Sequence, residues 1–137
     1  MPPSVPTGEG FNAILGIVVD EASPARVVAR LVAGDRHLQP MGLVHGGVYA
    51  SLAETVASIG AYLDAMSRDP DQGAVGLENH TTFLRSARRG AELVATAVPR
   101  HAGRRTQSWT VTIVDAASGR EVAMSTVRLM VVGRDLG

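Results

Sequence analysis

The sequence predicts an α+β protein in which an antiparallel sheet of about five to six strands curls around one long helix. Small and apolar residues recur at helical spacing from Gly46 to about Ser67. Two short segments of strand character precede this run, and four follow it, joined by short turns. The run has no charged face, which is typical of a helix buried on several sides. We therefore expect the sheet to wrap the helix.

The chain length and composition fit one globular domain. The chain has 137 residues, of which 45% are hydrophobic and 19% are charged, so it is long enough for a substantial core. Residues 1–10 are rich in proline and glycine and are expected to form a flexible N-terminal arm. Residues 11–137 are expected to form the domain.

Charge and residue usage exclude several classes of function. The net charge is zero, which argues against a general nucleic-acid or membrane-surface binder. The absence of cysteine excludes disulfides, thiolate metal sites and thiol catalysis. The four histidines show no recognised zinc spacing, so no metal is expected. No secretory signal is visible, and a cytoplasmic location is expected.

The strands are predicted from alternation and from turn residues. A first strand is expected at about Leu15 to Asp20, and "ARVVARLVA" is expected to complete a hairpin. In a later segment Trp109, Val111 and Ile113 alternate with polar residues, which predicts one packed face. The four later strands are expected at about residues 74–87, 91–102, 104–116 and 120–132.

Glu54 is the only charged side chain between Gly46 and Leu63. A carboxylate sheltered on a mostly apolar helix is poorly hydrated unless it is paired or used. Such a group can activate water as a general base or attack a carbonyl itself. The alternative is a carboxylate that is merely solvated or paired, and the residues alone leave both open.

The stretch "GLVHGGVYASLAETVAS" resembles the hotdog-fold acyl-CoA thioesterases of the PaaI-like group, and most closely the 4-hydroxybenzoyl-CoA thioesterases that use a helix glutamate. "LQPMGLVHGG", "AVGLENHTTFLRSARRG" and "PRHAGRR" extend the resemblance over most of the chain. The resemblance implies a hotdog fold, dimers joined through their sheets, often a tetramer of two dimers, and active sites at the subunit interface. Coenzyme A enters as part of the substrate, with no separate cofactor.

The resemblance also assigns roles to individual residues. Glu54 is the catalytic carboxylate, acting directly or through water. The Gly46 N–H is the oxyanion donor, a role that also suits a free amide at a helix start. Gln39 lies near the thioester across the interface, and His45 holds the loop. Ser58, one turn after Glu54, orients water or the carboxylate.

Arginines are concentrated in one part of the chain, with six of them in the 21 residues from Arg85 to Arg105. Guanidinium groups bind phosphates in fork geometry. The resemblance makes Arg85 a contact to a phosphate of coenzyme A, and Arg104 and Arg105 are assigned to the same phosphates. The alternative is a solvated turn.

The predicted function is hydrolysis of an acyl-CoA, aryl-CoA included, to a free acid and coenzyme A. One alternative is a non-catalytic acyl-CoA sensor on the same fold. Another is a hotdog enoyl-CoA hydratase, which pairs an aspartate and a histidine on one helix, whereas the helix here has no histidine beyond its start. Aromatic, medium-chain and hydroxylated acyl groups all remain open.

Overall fold

The computed structural model describes residues 7–135. Residues 1–6 of the predicted arm 1–10 lie outside the described residues. A 3-10 turn at Asp35–His37 precedes the long helix. The helices and strands, in chain order, are α1 Gly10–Leu15, β1 Val18–Ala22, β2 Val27–Val32, α2 Gly46–Arg68, β3 Gln72–Phe83, β4 Glu92–Ala102, β5 Thr106–Asp115 and β6 Glu121–Gly133.

The six strands form one antiparallel sheet in the order β1-β2-β4-β5-β6-β3. The long helix α2 packs across this sheet, against β2, β3, β4, β5 and β6. The predicted α+β architecture is therefore confirmed. Among the strands of residues 7–135, β3 pairs only with β6 and lies at one edge of the sheet.

Two strand boundaries differ from the prediction for local reasons. The first strand begins at Val18, because Leu15 ends α1 and Gly16 adopts the left-handed conformation, with φ of 73°, that closes the helix. Strand β3 ends at Phe83 because the N–H groups of Leu84 and Arg85 both donate to the Val122 carbonyl.

Small residues on α2 let the helix and sheet approach closely. Ala53, Ala57 and Ala61 are fully buried. A Cβ added at Gly60 would lie 2.3 Å from the indole of Trp109, so the ring occupies the space of the missing side chain. Trp109, Val111 and Ile113 are all buried, which confirms the alternation predicted for this strand.

The packed face of β5 also carries Gln107, which the apolar alternation did not predict. Its side chain is only 2% exposed. Its Oε1 accepts a hydrogen bond of 2.8 Å from Trp109 Nε1, and its Nε2 donates one of 2.9 Å to an Asp64 oxygen. The amide is tolerated in the core because both ends are paired.

Neither of the helices in residues 7–135 combines the length and the hydropathy that a membrane crossing requires. The cytoplasmic location expected from the sequence stays a prediction.

Candidate active site

A tight turn before α2 positions Gln39. The Gln39 N–H donates to the Leu43 carbonyl at 2.8 Å, and the Gly42 N–H donates to the Gln39 carbonyl at 2.9 Å. Gly42 has φ of 84°, which favours glycine at this corner. The side-chain Oε1 of Gln39 accepts from the Met41 N–H. This contact holds the amide against the loop and leaves its NH2 group to donate elsewhere.

His45 caps the N-terminus of α2. The imidazole Nδ1 accepts from the Gly47 N–H at 2.8 Å, and the backbone N–H of His45 donates to the His37 carbonyl at 2.8 Å. Within residues 7–135, no acceptor meets the N–H of Gly46, the first residue of the helix. The cap therefore provides an acceptor for the Gly47 N–H and leaves the Gly46 N–H free to bind a ligand, at the positive end of the helix dipole.

Gly46 lines a depression of about 340 Å³ that we call the Gly46 pocket. Phe83 forms one wall, and a Cβ added at Gly46 would lie 2.5 Å from its ring. A side chain at position 46 would therefore displace the Phe83 ring. The Gly46 pocket is lined by Gln39, Gly46, Tyr49, Phe83 and Arg85, among others.

Tyr49, which lines this pocket, has a buried hydroxyl. The residue is 2% exposed, and no group in residues 7–135 meets its hydroxyl at hydrogen-bond geometry. Its ring tilts against Phe83, with centroids 5.9 Å apart. Burial raises the pKa of the Tyr49 phenol, and the nearby backbone of Ala87 offsets part of that rise. The hydroxyl is therefore neutral at physiological pH.

Glu54 lies in a second and larger depression, of about 610 Å³, that we call the Glu54 cleft. Helix α2 forms its floor, α1 contributes Phe11 and Asn12, and β3 forms the opposite wall. Ser58 lines the same cleft, one turn along the helix. Glu54 is exposed in the single chain, so the curled sheet alone does not shelter the carboxylate, and the solvated alternative describes the single chain. The sheet covers the apolar faces of α2 and leaves a stripe of polar residues, which includes Glu54 and Ser58, uncovered.

The strand opposite Glu54 is locally irregular. A β-bulge shifts the register of β3 between Gly76 and Glu78, and bulges are frequent beside active sites. A Cβ added at Gly76 would lie 3.5 Å from the Glu54 carboxyl carbon. The carboxylate therefore lies directly over the backbone of β3, the edge strand.

Asn79 fastens that edge strand to the helix. Its Nδ2 donates to the Ala50 carbonyl at 2.9 Å, and its Oδ1 accepts from the Thr81 hydroxyl at 2.6 Å. Thr81 is also 2.7 Å from the Ser125 hydroxyl on β6. This chain of hydrogen bonds fixes β3 against α2 one turn before Glu54.

One chain does not bring all the predicted site residues together. Glu54 and Ser58 line the Glu54 cleft, whereas Gln39, Gly46 and Arg85 line the Gly46 pocket. Gly46 and Glu54 are eight residues apart on one helix, which separates their backbones by about 12 Å.

The predicted arginines are also divided. Arg85 borders the Gly46 pocket, and its Nη1 donates to the Glu121 carbonyl at 2.9 Å. Arg104 and Arg105 line a separate depression of about 580 Å³ that also contains Arg68 and Asp64 from the C-terminal end of α2. The two groups lie at opposite ends of α2, so they do not form one phosphate site within a chain.

Several aromatic residues of the site were missed by the sequence prediction, namely Phe11, Tyr49, Tyr62 and Phe83. Tyr62 follows Glu54 by eight residues, a spacing that returns to the same helix face and was available as a signal. Phe83 lies in the motif "NHTTFLR", but nothing local indicates that its ring covers Gly46. Within residues 7–135, no group of three histidine, aspartate or glutamate side chains has the arrangement of a metal site.

Comparison with known proteins identifies the class. Residues 41–122 match the family described as the thioesterase superfamily, and this range includes Gly46, Glu54 and Arg85. The chain belongs to the thioesterase superfamily, and it is a thioester hydrolase with the hotdog architecture. The resemblance read from the sequence is thereby confirmed.

Individual relatives agree with this assignment. Rv1847 of Mycobacterium tuberculosis, named as a candidate esterase, is 40% identical over 119 residues, which are 87% of this chain and 84% of that protein. Its solved structure has a TM-score of 0.83 at 38% identity and covers 90% of this chain and 96% of its own.

Two further proteins are similar to this chain. The 1,4-dihydroxy-2-naphthoyl-CoA hydrolase of Listeria monocytogenes is 38% identical over 106 residues, covering 77% of this chain and 83% of that protein. The structure of the PaaI protein of E. coli matches with a TM-score of 0.78 at 25% identity, covering 88% of this chain and 83% of that one.

Proposed function

We propose that this protein hydrolyses acyl-CoA thioesters to a free acid and coenzyme A in a site formed by two copies of the chain. The observation that carries the proposal is that an exposed carboxylate and an open helix amide lie in two depressions, both of which include residues of the edge strand β3. The similarity to a naphthoyl-CoA hydrolase supports coenzyme A as the carrier of the acyl group.

The chemistry requires both groups at one carbonyl. An oxyanion donor and a nucleophile must each lie about 3 Å from the reacting atoms, but Gly46 and Glu54 of one chain are about 12 Å apart. In the general-base route, Glu54 takes a proton from water as the water adds to the thioester carbon; the C–S bond breaks, and the proton passes to coenzyme A, which leaves as the thiol. In the nucleophilic route, the Glu54 carboxylate displaces the thiolate and forms an anhydride, which water then hydrolyses. The Gly46 N–H stabilises the oxyanion in both routes.

A second copy at the β3 edge completes this arrangement. The unpaired edge of β3 has free backbone groups that can pair with another strand. Strand β3 contributes Ala74 and Asn79 to the Glu54 cleft, and its last residue, Phe83, to the Gly46 pocket. A two-fold axis near β3 places Glu54 of one protomer beside Gly46 and Gln39 of its partner. Each dimer then has two equivalent sites.

Release of free thiol from a panel of acyl-CoA substrates tests the function. The panel includes straight-chain, benzoyl and hydroxybenzoyl thioesters, and we expect turnover of at least one series with stoichiometric free acid. Tight acyl-CoA binding without thiol release would instead support the sensor alternative. Hydration of an enoyl-CoA without thiol release would support the hydratase.

Arg85→Ala is expected to raise KM for acyl-CoA about tenfold or more, because a charge-assisted contact to a phosphate is lost. The same substitution is expected to leave KM unchanged for an acyl-pantetheine thioester, which lacks the nucleotide phosphates. Steady-state kinetics on both substrates measures the difference. Arg100→Ala, which removes an exposed arginine of β4 outside the Gly46 pocket, is the control. Equal effects of Arg85→Ala on both substrates would contradict a phosphate contact.

A further inference from the structure

The Glu54 cleft has two chemically different ends. Towards the N-terminal half of α2 its lining includes the polar side chains of Ser51 and Asn79. Beyond Glu54, towards the C-terminal half of the helix, Ile59, Tyr62 and Ala74 add apolar surface next to the hydroxyls of Thr55 and Ser58. An apolar acyl group is stabilised at the second end, because burial of each methylene group there is favourable.

A fixed aromatic ring closes the apolar end. The Tyr62 hydroxyl accepts from Arg134 Nε at 2.9 Å, and Arg134 Nη1 donates to the Pro70 carbonyl at 2.9 Å. A Cβ added at Gly73 on β3 would lie 2.5 Å from the Tyr62 ring. The ring is therefore packed on the backbone of β3 and held at its tip, so it acts as a rigid wall.

The wall lies at a defined distance from the carboxylate. Tyr62 follows Glu54 by eight residues of helix, a rise of about 12 Å. On the strand, Gly73 faces the ring and Gly76 faces the carboxylate, and three residues of strand span about 10 Å. The estimates along the helix and along the strand agree on the separation between the carboxylate and the ring. An extended acyl chain of about eight to ten bonds would fill that space.

We propose that Tyr62 determines acyl-chain specificity by closing the Glu54 cleft, so that short and medium chains fit and long chains are rejected. This inference rests on the proposed acyl-CoA hydrolysis. It assigns the acyl group to the Tyr62 end of the cleft.

The test is kcat/KM across straight-chain acyl-CoA substrates from acetyl to palmitoyl. The wild type is expected to prefer chains up to about octanoyl or decanoyl and to fall for longer ones. Tyr62→Ala is expected to move the preference to longer chains, with a gain of about tenfold or more for palmitoyl-CoA relative to octanoyl-CoA. Tyr62→Leu, which keeps apolar volume for folding, is expected to shift it in the same direction by less.

Two controls separate this effect from general damage. Tyr62→Phe keeps the ring and is expected to keep the wild-type chain-length limit. Leu63→Ala removes similar bulk one residue away, at a groove formed with Pro24 and Met66 on another side of α2, and is expected to lower stability without moving the limit. A Tyr62→Leu protein with the wild-type chain-length profile would overturn the inference. A wild type that hydrolyses no acyl-CoA would overturn the proposed function, and this inference with it.

Discussion

Glu54→Ala is expected to lower kcat for thioester hydrolysis by about a thousandfold, because loss of a positioned base typically costs between a hundredfold and ten-thousandfold. The fold is expected to persist. The side chain is exposed in the single chain, and substitutions at exposed positions usually change the free energy of unfolding by less than about 0.5 kcal/mol. Thiol-release kinetics and thermal melting measure the two effects separately.

Two further variants sharpen this experiment. Glu54→Gln keeps the size and hydrogen-bonding capacity of the side chain and is expected to be nearly as inactive, because the amide is neither a base nor a nucleophile. Glu21→Gln is the matched control, since Glu21 is an exposed carboxylate on β1 paired with Arg26 at 3.1 Å, outside both depressions. Unchanged kcat in Glu54→Ala would reject Glu54 as the catalytic group.

The fold was predictable because its main signals are local. The small residues from Gly46 onward predict a helix beneath a sheet, and the helix does begin at Gly46. The alternation around Trp109 predicts the buried face of β5 correctly. The burial of Gln107 was not predictable, because its partner Asp64 is 43 residues away in sequence and meets it only in the folded chain.

The site was predictable in its residue types and not in its arrangement. The motif identified Glu54 and Gly46, but the exposure of Glu54 depends on which face of α2 the sheet leaves uncovered. Ser51, Glu54, Thr55 and Ser58 recur at helical spacing, so a polar stripe was visible in the sequence. The two depressions are separate because Gly46 and Glu54 are eight residues apart along α2. The position of the Tyr62 ring depends on contacts with β3 and Arg134, which form only in the folded chain.

Gly46→Pro is expected to lower kcat by about a hundredfold to a thousandfold, the usual cost of removing one oxyanion donor. Proline deletes the N–H and is well tolerated at the first position of a helix. His45 already has φ of −63° and ψ of 135°, which suits a residue before proline. Gly46→Ala is the matched control, because it adds the same Cβ against Phe83 and keeps the N–H. Equal losses of kcat in the two variants would attribute the effect to the displaced ring and contradict the donor role.

Mixing the two inactive variants tests whether a site uses residues from both protomers. In a dimer of one Glu54→Ala chain and one Gly46→Pro chain, one site contains both defects and the other contains neither. Random assembly after refolding the two chains together makes half of the dimers mixed, so about a quarter of wild-type activity is expected to return. Each variant refolded alone is the control and stays inactive. If Glu54 and Gly46 of the same chain served one carbonyl, every site in the mixture would be defective, and no activity would return.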